Sequence, residues 1–261
     1  MDQQTLDARL TAHWAAQLLA SATLCSAAAG RMEARPDMSH SNLGWRHELG
    51  ALVTHPVAGV EIGLVIAELT IVVACEGEVA ERYPLAGRTL EEGLTWLEGV
   101  LDAHAGDEVT LTLPTHDMPH HEVSDGDPFP EPTSAHGEVS RWFATAHDVV
   151  SAVAAQYADL SSPARCWPHH FDLATLIIFE PHEDSESEGS VGFGMTPGDA
   201  GIPEPYFYAT PWPRPEGETF APLSVGAWHI EDWTGAVLRS TDRAMAEALA
   251  AEAVPASRMV I

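Results

Sequence analysis

The sequence predicts an α+β fold: a largely antiparallel sheet covered by long amphipathic helices, laid out as two similar halves. Three observations predict it. Apolar residues recur at helical spacing over residues 5–29 and 138–159. Alternating and Val/Ile-rich runs fill the stretches between and after them. A long helix followed by a tryptophan-led strand occurs twice. GWRHELGALV (44–53) can be laid on CWPHHFDLAT (166–175), with Trp45 on Trp167 and His47 on His169, which suggests an internal duplication.

The first helix is expected over residues 5–29, capped by Thr5, with Leu6, Leu10, Trp14, Leu18, Leu24 and Cys25 on one stripe and Gly30 as its stop. From Gly44 the period changes to two, with Trp45, His47, Leu49, Ala51 and Val53 on one face. GVEIGLVIAELTIVVACEG then reads as two strands bent near Ala67 and Glu68. Thr89-Leu90-Glu91-Glu92 has the capping-box pattern, in which a Thr hydroxyl and a Glu carboxylate each bond the other's backbone N–H. Leu90, Leu94, Leu97 and Leu101 line the helix that follows, and Gly106 ends it. EVTLTLP (108–114) reads as a short strand.

Residues 115–137, rich in Pro, Asp and His, read as a connector between an N-terminal half (1–114) and a C-terminal half (138–261). His116, His120, His121 and His136 fall here. A His-rich loop can scavenge transition metals, but a solvated connector is the plainer reading. Helix 138–159 follows, with Val139, Trp142, Phe143, Ala146, Val149, Val150, Val153 and Tyr157 as its apolar face. HHFDLATLIIFEP reads as a strand, EDSESEG as an acidic surface loop, and SVGFGMTPG and PYFYATPWP as strands. VGAWHI and TGAVLRS make two more, and residues 241–252, capped by Ser240 or Thr241, a terminal helix.

Charge narrows the partners. The 261 residues carry 39 acidic side chains against 12 basic ones, a formal net charge of −27, and every basic residue is an arginine. Such a surface repels nucleic-acid backbones and anionic lipid. The absence of lysine excludes Schiff-base chemistry and a P-loop lysine. Cys25, Cys75 and Cys166 are far apart and odd in number, which argues against a disulfide framework or a cysteine zinc site. No signal peptide is expected, and the apolar run Gly63 to Cys75 is too short to span a bilayer and is broken by Glu68. A soluble, cytoplasmic protein is expected; a homodimer is the common oligomeric state.

WPHHFDLA (167–174), GFGMTPGDAGIPEPYFYATPWP (192–213) and the WH…WTGAVL ending (228–238) resemble a mainly bacterial domain-of-unknown-function family. The resemblance covers roughly the last third of the chain. It implies no established activity.

On a strand, His170 and Asp172 would point to one face and His169 and Phe171 to the other. Glu204, Tyr206 and Tyr208 would share a face if that strand begins early, and Pro203 and Pro205 stiffen the backbone around Glu204. His229 adds an imidazole. His170, Asp172, Glu204 and His229 are therefore the candidate catalytic residues, and they offer the ligand types for zinc, iron or manganese. The same groups suit metal-free acid–base work. Tyr206, Tyr208, Trp212 and Trp228 are the candidate ligand-binding residues, with Trp167, Phe207 and Trp233 as further pocket walls. SVGFGMTPGDAG is glycine-rich but has neither the spacing nor the following helix of a phosphate cradle. The expected function is a small-molecule pocket in the C-terminal half, in an enzyme with a His/carboxylate site. The alternative is a non-catalytic binding or structural protein whose motif residues are core and turn elements.

Overall fold

Asp2 caps the first helix, three residues ahead of Thr5, because its carboxylate accepts the Thr5 N–H at 2.8 Å. Helix α1 runs Gln3–Ala28. Its burial extends well beyond the leucine stripe, of which Leu18 is fully buried. Ala8, Ala12, Ala15, Ala16, Thr11, His13, Gln17 and Ser21 are buried, while Leu6, Leu10 and Trp14 are only half-buried. Small residues let neighbouring backbone approach closely.

The computed structural model describes residues 1–181, 189–215 and 220–261. Among them lie four helices and two antiparallel sheets, an α+β fold. No helix of the described residues is long and apolar enough to cross a membrane. The acidic loop expected at EDSESEG lies, apart from Gly189, outside the described residues. The chain divides into two units, Met1–Arg141 with Cys166–Phe171, and Trp142–Arg165 with Asp172–Ile261.

In the first unit, strands β1 (Gly44–Arg46), β2 (Ala51–Val53), β3 (Glu61–Val65), β4 (Thr70–Cys75) and β5 (Glu78–Pro84) form a meander in that order. GWRHELGALV is thus a hairpin and not one strand: Gly44 pairs with Val53, and Gly50 turns at φ +58°. The expected bend is present. A 3₁₀ turn at Ile66–Glu68 and Leu69 at φ 45° separate β3 from β4. Helix α2 (Leu90–Ala105) opens with the expected capping box, Thr89 N–H to Glu92 Oε2 at 2.8 Å and Glu92 N–H to Thr89 Oγ1 at 3.2 Å. Replacing Thr89 with Ala removes one arm of it, and a loss of about 1 kcal/mol in urea unfolding is expected. Gly93 lets α2 meet α1, since a Cβ there would lie 2.9 Å from Leu18 Cδ1.

Residues 108–114 form no strand. Their N–H groups go to carboxylates on α2: Val109 to Asp102 Oδ1 at 2.5 Å and Leu111 to Glu98 Oε1 at 2.8 Å. Nor is 115–137 a solvated connector. His121 is buried against Asp7, Nε2 to Oδ1 at 2.9 Å. His136 is buried with its Nε2 3.0 Å from Thr11 Oγ1, and Phe129 is buried with its N–H donating to Arg88 O at 2.8 Å. The segment is fastened to α1 and to the start of α2, inside the first unit.

Helix α3 (Ser134–Gln156) leads into the second unit, which holds β7 (Asp172–Glu180), β8 (Gly189–Thr196), β9 (Tyr206–Trp212), β10 (Ala227–His229) and β11 (Gly235–Leu238); with β6 (Arg165–Trp167), of which only Arg165 falls in this unit, they make the second sheet, in the order β10-β11-β9-β8-β7-β6. Alternation puts Phe193, Met195, Phe207 and Ala209 on one buried face. Helix α4 (Arg243–Arg258) packs against β8, β9 and β11. Its cap is Asp242, which accepts the Met245 N–H at 2.9 Å, two residues beyond Ser240.

Candidate functional site

The opposite face of the second sheet carries the chemistry. Register extends the Leu173–Met195 and Thr196–Tyr206 pairs to a row Asp172–Thr196–Tyr206, beside the row Ala174–Gly194–Tyr208–Val237. Gly194 has no side chain, so the Tyr208 ring crosses over it and its hydroxyl donates to Asp172 Oδ2. Tyr206, only 5% exposed, donates to Asp199 Oδ2 at 2.5 Å.

Asp199 also builds the loop that covers this face. Its Oδ1 accepts the Gly201 and Ile202 N–H groups, both at 2.7 Å, and its own N–H donates to Ile202 O at 2.9 Å. This is the side-chain-closed turn that a Gly-Asp-x-Gly sequence favours. Ile202, Tyr206 and Val237 form a buried cluster with Tyr208 and Trp233 against it. Trp233 stacks offset on Tyr206 (ring centres 6.5 Å apart) and meets the His229 ring at 4.6 Å. His229 Nε2 lies 2.6 Å from Asp232 Oδ1. Burial first, then the bond to Asp199 and the charges of Asp199, Asp172 and Asp232, push the Tyr206 phenol above its ordinary range, so it stays protonated as a donor.

Asp172, Tyr206, Tyr208 and His229 are thus joined through one cluster of aromatic rings and carboxylates. Glu204 sits in a bend before the strand: β9 begins at Tyr206, so Glu204 does not share its pleat. Trp212 stands half-exposed at the far end of β9. Trp228 stacks on Phe220 at 4.0 Å and donates to Ala221 O at 2.9 Å, a loop-fastening role. Sequence reasoning missed Asp199, Asp232 and Gly194. The G-D-x-G turn is the one signal that points at Asp199.

His170 belongs to the first unit. Residues 168–171 are a turn, not strand. Both His170 and Phe171 donate their N–H to Trp167 O, at 3.1 and 2.7 Å, and Phe171 adopts φ 56°. The expected split of His169 and His170 across two faces therefore fails. Their rings lie side by side, 4.1 Å between centres, and His116 approaches His169 at 5.2 Å. Helix α1 holds this turn. His13 Nε2 and Gln17 Nε2 both reach Pro168 O, at 2.8 and 2.7 Å, and the His13 ring stacks on Phe171 at 4.9 Å. Burial holds His13 neutral down to about pH 4 against the opposing bond to Pro168 O. Burial and the neighbouring His170 and His116 pull His169 down to about 4 as well.

No family model, curated protein or solved structure matches the chain.

Proposed function

We propose that the second unit is a binding module for a small organic cation, an amine or guanidinium compound, seated against Asp172, Asp199, Asp232 and the rings of Tyr206, Tyr208, Trp233 and His229. The observation that carries the reading is the Tyr206 phenol, which is bonded to Asp199 and stacked on Trp233, beside Tyr208 bonded to Asp172. Cations favour that pairing of π faces with negative charge. Carboxylates outnumber imidazoles, so the cluster suits a cationic ligand better than an anionic one. Asp172, Glu204 and His229 would serve as acid–base groups if the ligand is also turned over. A cytoplasmic location belongs to the same reading and is supported by three cysteines that form no disulfide.

A second reading is structural, because both tyrosine hydroxyls already bond carboxylates. Calorimetry with tetramethylammonium, guanidinium and 1,4-diaminobutane separates the two. Saturable binding that Asp172→Asn weakens at least tenfold is expected. If no probe binds while Asp172→Asn and Tyr208→Phe each cost about 1–3 kcal/mol of stability, the cluster is structural.

A further inference from the structure

The imidazoles around the Trp167–Phe171 turn belong to neither reading. We propose that His116, His169 and His170 form a site for a first-row transition-metal ion such as zinc, cobalt or copper. Zinc binds imidazole nitrogen at about 2.0–2.1 Å, which puts each ring centre about 3 Å from the ion and two rings on a tetrahedral ion about 5 Å apart. The His116 and His169 ring centres are 5.2 Å apart, and those of His169 and His170 are 4.1 Å apart. The three rings do not yet offer nitrogens to a single point. Closing the set requires a side-chain rotation of His170 or His116, and both are exposed.

Three features of the turn favour this use. Its backbone is fixed: Trp167 O accepts two N–H groups, and Pro168 O is held by His13 and Gln17. Phe171, a bulky residue, is kept in the left-handed region at φ 56°, with its ring buried. Strain of that kind persists where surrounding structure over-determines it, and it clusters at functional sites. The turn thereby delivers adjacent histidines to one side, where an extended strand would have sent them to opposite faces. A donor set of imidazoles alone selects zinc, copper, nickel or cobalt over magnesium or calcium, which prefer oxygen.

The test uses the full chain without an affinity tag, stripped by a chelator. Zinc is titrated in competition with a chromophoric chelator, and copper(II) is followed by electron paramagnetic resonance. One ion per chain is expected, with nitrogen hyperfine structure on copper. His169→Ala should weaken zinc at least tenfold, as should the substitutions at exposed positions, His116→Ala and His170→Ala. His120→Ala, in the same segment, should leave it unchanged. The proposal is overturned if no zinc binds, if copper shows no nitrogen coupling, or if zinc affinity survives His116→Ala and His170→Ala. Because both of those sites are exposed, the outcome does not depend on whether His169→Ala folds.

Discussion

Stability is expected to fall by about 3 kcal/mol on His13 alone as the pH drops from 6.5 to 4. The ordinary histidine value is 6.5, and burial lowers that of His13 to about 4 in the folded protein. Each tenfold loss of proton affinity on folding corresponds to about 1.4 kcal/mol. The direction follows from linkage. Between these two values the unfolded chain binds a proton on this ring that the folded chain refuses, so acid favours unfolding. The contribution is fully present above pH 6.5 and is lost as the pH falls through the window to about 4. His169 moves the same way and adds to the slope, but its half-exposed ring is partly screened by water. Burial lowers His136 in the same direction. Urea unfolding from pH 7 to pH 4 reads the effect. His13→Gln keeps an N–H for Pro168 O and removes the titration, so its slope should be shallower by up to one proton. A slope identical to that of the unsubstituted protein would show that His13 titrates normally in the fold.

The fold class was legible because the hydrophobic period reports secondary structure directly. Helices α2 and α3, the β3–β4 bend and the capping box at Thr89 all follow from local pattern. What failed depends on hydrogen-bond partners that hydrophobic periodicity does not mark. The stretch 108–114 alternates like a strand, but Glu98 and Asp102 on α2 take its N–H groups. Residues 115–137 have a connector's composition, yet His121 and His136 are buried against Asp7 and Thr11 of α1. Those partners lie more than 100 positions away and leave no periodic trace. Strand β5 is mostly exposed and charged, as an edge strand must be to discourage mispairing, and so it carries little apolar signal.

The site was legible in part. Strand alternation placed Tyr206 and Tyr208 together, but it paired Asp172 with His170, whereas Asp172 bonds Tyr208. It misjudged the histidine pair because a Trp-Pro-His-His-Phe segment alternates on paper. Here a single left-handed residue, Phe171, turns the chain before the strand begins. Asp199 hid within a loop, where only turn chemistry, and not periodicity, marks a residue.

Gly194→Ala is expected to cost about 2–4 kcal/mol and to disturb the cluster, whereas Gly192→Ala, two residues away on the same strand face, should cost little. A Cβ at Gly194 would lie 2.6 Å from Ala174 Cβ, 2.8 Å from Leu173 O and 2.8 Å from the Tyr208 hydroxyl. The Leu173 carbonyl is held in the β7–β8 ladder, so it cannot yield without breaking pairing. At Gly192 the nearest atom is Thr210 O at 4.0 Å, which leaves room for a methyl group. The two substitutions share strand, face and conformational-entropy change, so their difference isolates the steric cost. The double variant Gly194→Ala with Tyr208→Phe then divides it. Removing the hydroxyl relieves one of the three contacts, so the pair should cost less than the sum of its single variants while remaining less stable than the unsubstituted protein. Urea unfolding of the five proteins (unsubstituted, Gly192→Ala, Gly194→Ala, Tyr208→Phe and the double variant) measures both quantities. If Gly194→Ala matches Gly192→Ala, the Tyr208 ring does not cross the strand as described, and its bond to Asp172 no longer accounts for the glycine. If the double variant is strictly additive, the clash is with Ala174 and the Leu173 carbonyl alone, and the glycine serves the close approach of β7 to β8 and not the tyrosine–carboxylate pair.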